Sequence, residues 1–189
     1  MKLAGLAGAT SGVVGIVAGL VMVVYPAKVD SDSYSYPFEA TGFTITQVAL
    51  TIRDVGLTLL VAALWTAVGR SVVGRIGVMA SALAMLSLAA LEVVSIVVKD
   101  EDSVGAYYGM ASFAIGLFMI LAGVAVLRAK TWSDWRRYLP LATGIYVFVP
   151  MTPGILAGFV VEQLVIAGWM AVFALLGWSL VRTSTRRTT

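Results

Sequence analysis

Six runs of apolar residues, at about 3–25, 44–68, 76–98, 106–127, 138–149 and 155–181, leave room for little besides the turns that join them. A helix crossing a bilayer needs about 20 predominantly apolar residues. Backbone in lipid must also satisfy its own hydrogen bonds, which a helix does segment by segment. With 60% of residues hydrophobic, 12% charged and a mean hydropathy of +0.95, the chain has too little polar surface for a water-soluble domain of this length. We expect an all-α integral membrane bundle of six transmembrane helices, one transmembrane domain over residues 1–189. The first run follows Lys2 as a signal peptide would. It is longer than a signal core of about 7 to 15 residues and lacks a clear small-x-small end, so retention as a span is expected.

Basic residues fall in alternate connections. Lys2, Arg70, Arg75, Arg128, Lys130, Arg136, Arg137, Arg182, Arg186 and Arg187 share one side with a single acid, Asp134. The other side holds Lys28 and Lys99 with Asp30, Asp32, Glu39, Asp100, Glu101 and Asp102. The positive-inside rule puts the basic side, and with it both the N and C termini, in the cytoplasm. The formal charge of +3 is a by-product of this asymmetry, so no nucleic-acid partner is implied. Arg182, Arg186 and Arg187 are expected to meet anionic headgroups among the membrane lipids.

Four charges lie within the spans: Arg53, Asp54, Glu92 and Glu162. A charged side chain at mid-bilayer costs about 2.5 to 3.5 kcal/mol on insertion scales, so such residues face a bundle interior or a wet cavity and mark candidate sites. In the second span Gln47, Thr51, Asp54 and Thr58 are spaced four, three and four apart and form one polar stripe. The topology brings Arg53, Asp54, Glu92 and Glu162 to similar depth in the outer half of the bundle, with Arg53 and Asp54 two to three turns into their span. One arginine against three carboxylates leaves an excess of two negative charges, to be met by protons, by a cation or amine, or by exposure to the outer headgroups. A plain helix-ordering ion pair between Arg53 and Glu92 or Glu162 is the bland alternative.

Gly5, Gly8, Gly12, Gly15 and Gly19 line one face of the first span, the small-residue spacing that lets membrane helices approach closely. That face suits either a neighbouring helix or a homo-oligomer seam. Gly109, Gly116 and Gly123 repeat a sparser version, making the fourth span its candidate partner. The fifth run is short, and the stretch 150–154, with Pro150, Pro153 and Gly154, reads either as a loop or as irregular backbone dipping below the interface. The longest connection, with Tyr34, Tyr36 and Phe38, reads either as a lid over the site or as an interfacial anchor.

The chain has no cysteine and no histidine, which removes disulfides, thiolate nucleophiles, the commonest zinc ligands and the commonest proton shuttle. Phosphate-cradling and nucleophile-elbow motifs are absent from the sequence, so no cofactor, no metal and no catalytic residue is assigned. Three functions stay open. The first is binding, or movement, of a small amphipathic, lipidic or cationic molecule at Arg53, Asp54, Glu92, Glu162, Gln47, Thr51 and Thr58. The second is a structural or regulatory subunit docking through helix contacts. The third is an intramembrane acid–base enzyme using Glu92 and Glu162 on a lipid. The segments beginning at Trp132, Gly144 and Gly168, with the stretches at Tyr36-Pro-Phe and Thr41-Gly-Phe, resemble multi-pass membrane proteins of actinobacteria. The resemblance implies a bacterial plasma membrane and carries over no activity and no functional residue.

Overall fold

A computed structural model describes residues 1–132 and 134–185, so Arg186 and Arg187 lie outside the described residues. The helices are α1 (Lys2–Val24), α2 (Ala40–Ala63), α3 (Val72–Val98), α4 (Glu101–Ala129), α5 (Leu139–Tyr146), α6 (Thr152–Leu156) and α7 (Phe159–Thr185). Tighter 3₁₀ turns at Leu64–Thr66 and Trp135–Tyr138 extend α2 and introduce α5. Six stretches are long and apolar enough to cross a membrane: Lys2–Val24, Ala40–Thr66, Val72–Val98, Ser103–Ala129, Trp135–Leu156 and Phe159–Arg182. Their outward faces expose large apolar side chains, among them Leu3, Ile52, Val97, Met110 and Leu156. Apolar exposure on that scale is compatible with a surface that faces lipid. The second helix starts earlier than the apolar run predicted, because residues 40–43 already form its first turn.

Each helix packs on its chain neighbour, and α7 returns to lie along α1, closing a ring. The glycine face of α1 makes that closure. Ideal Cβ atoms would meet the Gly177 carbonyl at Gly5, the Met170 carbonyl and Ala174 backbone at Gly12, and the Gln163 carbonyl at Gly19. Gly8 receives Leu60 of α2 and Gly15 receives Met170. This corrects the expected partner: the first span packs on the last, not on the fourth, whose Gly116 and Gly123 face Val147 and Leu141 of the fifth. All five glycines of this face are buried within the chain.

The fifth span is a second correction, for it is neither short nor interrupted by a loop. The helix runs on through Pro150 by widening to a π turn at Val147–Met151 and reaches Leu156. Proline lacks an N–H and its ring crowds the carbonyl of the preceding turn; a wider turn moves that carbonyl away. The Val147 carbonyl accepts the Thr152 backbone N–H and also the Thr152 hydroxyl at 2.7 Å. A left-handed Gly158, φ 102°, then turns the chain into α7. At the other end of this span Asp134 caps the 3₁₀ turn, accepting from the Arg136 backbone N–H and guanidinium. Those hydrogen bonds hold its carboxyl below the usual range.

The interior is unevenly filled. Toward the end bearing the basic connections, Leu57, Leu60, Leu64, Phe173, Leu176 and Leu180 are completely buried and pack the ring solid. Toward the acidic end the same ring is left open inside.

Candidate functional site

That opening is a cavity of about 640 Å³, within the roughly 300–1,000 Å³ usual for small-molecule sites. One wall is polar and built around Arg53. Its Nε lies 2.7 Å from Asp54 Oδ1 and its Nη2 3.0 Å from Asp54 Oδ2, a two-pronged pair between chain neighbours. Asp54 is fully buried, at 0% exposure. The same Nη2 stands 3.8 Å from Glu92 Oε1, an ion-pair distance beyond hydrogen bonding. The other oxygen of Glu92, Oε2, accepts the Tyr108 hydroxyl at 2.9 Å. Helices α2, α3 and α4 therefore meet through one charged network, the arrangement a buried charge needs to persist. Tyr108→Phe removes the donor to a buried carboxylate and is expected to lower stability by about 1 to 3 kcal/mol; a melting temperature equal to wild type would show that Glu92 does not depend on it.

Glu162, on the first turn of α7, is half-buried and borders the same cavity. Gln47 borders it too, 9% exposed, and its amide oxygen is buried without a hydrogen-bond partner. The stripe is only partly used. Thr51 and Thr58 donate their hydroxyls to the carbonyls of Gln47 and Asp54 on their own helix, both at 2.8 Å, and neither borders the cavity. Arg53 and Asp54 also lie deeper than expected. Because α2 begins at Ala40, they sit about 20 Å along it, midway through the Ala40–Thr66 stretch.

Sequence reasoning missed Tyr108. Two adjacent tyrosines in the first turns of α4, at about the depth of Glu92 on α3, were the available signal. The connection between α1 and α2 turns its rings inward. Tyr34, Tyr36 and Phe38 border the cavity, with Phe38 4.7 Å from Tyr25 and Tyr36 5.0 Å from Phe159 between ring centres. Backbone bonds from Lys28 to Pro37 and from Phe38 to Ser35 fold the segment into a roof. Of the two expectations, the lid position is the one these rings occupy. Trp169, also on the cavity wall, is held by its indole N–H bonding the Thr143 carbonyl at 2.9 Å.

Fold and site together define a class: a six-helix bundle compatible with a polytopic membrane protein, with a roofed internal cavity carrying buried charge at one end. Comparison with protein-family models, curated proteins and solved structures finds no match.

Proposed function

We propose that this chain is a multi-pass membrane protein that binds a small amphipathic molecule in the cavity. The polar part of the ligand meets the wall of Arg53, Glu92 and Glu162, and its apolar part lies against Met85, Leu88, Met151 and Met170. The observation that carries this reading is one cavity bounded by both kinds of surface, with buried charges on only part of its wall. Asp54 anchors Arg53 rather than meeting the ligand, because both its oxygens are taken. Charge asymmetry of the connections supports cytoplasmic termini and a cavity opening toward the extracytoplasmic side, beneath the aromatic roof.

Binding is favoured over conduction, since the solid packing of Leu57, Leu60, Phe173 and Leu176 closes the basic half. Movement of the ligand across the membrane requires that packing to open. The glycine face of α1 is already spent on α7 and α2, so nothing favours a subunit docking through it. The test is ligand-induced thermal stabilisation of the purified protein across a panel of lipids and amines, as binding to the folded state raises the melting temperature. Glu92→Gln and Glu162→Gln are each expected to abolish or sharply reduce the largest shift in the panel. Unchanged shifts in both variants sink the proposal.

A further inference from the structure

We propose that the ligand is a protonated amine on an apolar tail, its ammonium group hydrogen-bonded to Glu92 and its N–H groups shared with Gln47; this deepens, and rests on, the binding reading above. Charge gives the first reason. On the polar wall of the cavity Arg53 stands against two buried carboxylates, Asp54 and Glu92. Arg53 is also already committed: its two short contacts go to Asp54, and it reaches Glu92 only at 3.8 Å. Glu92 borders the cavity, its Oε1 3.8 Å from Arg53 Nη2 and its Oε2 accepting from Tyr108. A cation at hydrogen-bonding distance would complete the pairing of this buried carboxylate.

Hydrogen-bond supply gives the second reason, independent of the charge count. The Gln47 amide oxygen is a buried acceptor without a donor, and a buried polar group left unmade costs about 1 to 3 kcal/mol. The wall therefore offers acceptors in excess and asks for donors. A protonated amine brings positive charge and N–H donors together, whereas a carboxylate brings neither and an alcohol brings one donor without charge. The roof suits the same group, because Tyr34, Tyr36 and Phe38 border the cavity and aromatic rings attract ammonium ions. The apolar lining beyond the charges accommodates the tail.

The experiment compares decylamine, decanol and decanoate on the full chain in maltoside micelles, reading dissociation constants by native mass spectrometry and by melting-temperature titration. The three have ten carbons each and differ in the head group. Decylamine is expected to bind at least tenfold tighter than decanol, with decanoate weakest. Glu92→Gln is expected to erase that preference, bringing decylamine to within about twofold of decanol. If Glu92→Gln does not fold, Gln47→Leu serves in its place, with a loss of threefold or more for decylamine and a smaller one for decanol. Equal binding of decanol or decanoate, or a preference that survives the substitution, overturns the amine assignment. Gly109→Trp separates this failure from failure of the binding reading itself. Gly109 borders the cavity with nothing within 4 Å of its Cβ position, so a bulky side chain can start there without a clash and compete with the ligand for the space. Binding of all three molecules blocked by Gly109→Trp, but without preference for the amine, sinks only the amine; binding indifferent to Gly109→Trp sinks both.

Discussion

Arg53→Met is expected to destabilise the bundle by about 3 to 5 kcal/mol, the range seen when one partner is removed from a buried ion pair. Methionine keeps much of the apolar stem, so the loss reports the charge rather than the volume. Asp54 is left with two buried oxygens and no donor, and Glu92 loses the cation 3.8 Å away. The double variant Arg53→Met/Asp54→Leu removes both charges of the closest pair and is expected to recover most of the loss, because an apolar replacement of a buried pair is often neutral or stabilising. Melting temperatures in maltoside micelles compare wild type, Arg53→Met, Asp54→Leu and the double variant. Additive losses, with the double variant worse than either single, would mean that the two side chains are solvated independently. Recovery of stability without recovery of ligand binding in the double variant would assign Arg53 to the site rather than only to the fold.

The residues that could be read correctly from sequence are those whose physics is local. Apolar length decides a span wherever the run is unbroken, so five of the six expected spans differ from the observed ones mainly at their ends. The fifth failed because Pro150 was weighed as a breaker; the π turn that admits it depends on Val147 packing against Gly116 in α4 and on the Thr152 hydroxyl, neither visible in a linear run. The glycine spacing revealed that α1 has a close-packing face but not which helix occupies it, since ring closure by α7 is a property of the whole chain. Arg53, Asp54, Glu92 and Glu162 were visible because charge in a span is costly anywhere. Their detailed roles were not. Thr51 and Thr58 shared the stripe of Asp54 but spend their hydroxyls on backbone carbonyls, an option open to any threonine in a helix. Tyr108 carried no comparable signal, because tyrosine near a span end is ordinary.

Two glycines in this chain make the same substitution run in opposite directions. Gly12→Ala places a Cβ 2.6 Å from the Ala174 nitrogen and 2.7 Å from the Met170 oxygen, both backbone atoms of α7 that cannot swing aside. Overpacking of this kind costs about 1 to 3 kcal/mol or more, and Gly12→Leu is expected to exceed it and abolish folding. Gly109→Ala meets nothing within 4 Å and relieves the helix of glycine's conformational freedom, a gain of about 0.5 to 1 kcal/mol. The melting temperature should therefore fall for Gly12→Ala and rise slightly for Gly109→Ala. The pair also decides what the α1 glycines are for. If they seat α7 within one chain, Gly12→Ala lowers the melting temperature of the isolated monomer and does so independently of protein concentration. A monomer as stable as wild type, together with loss of a larger assembly on native mass spectrometry, would move the contact from within the chain to between copies. The ring that encloses the cavity would then lack its α1–α7 closure, and Arg53, Glu92 and Gln47 would face a site completed by a second molecule.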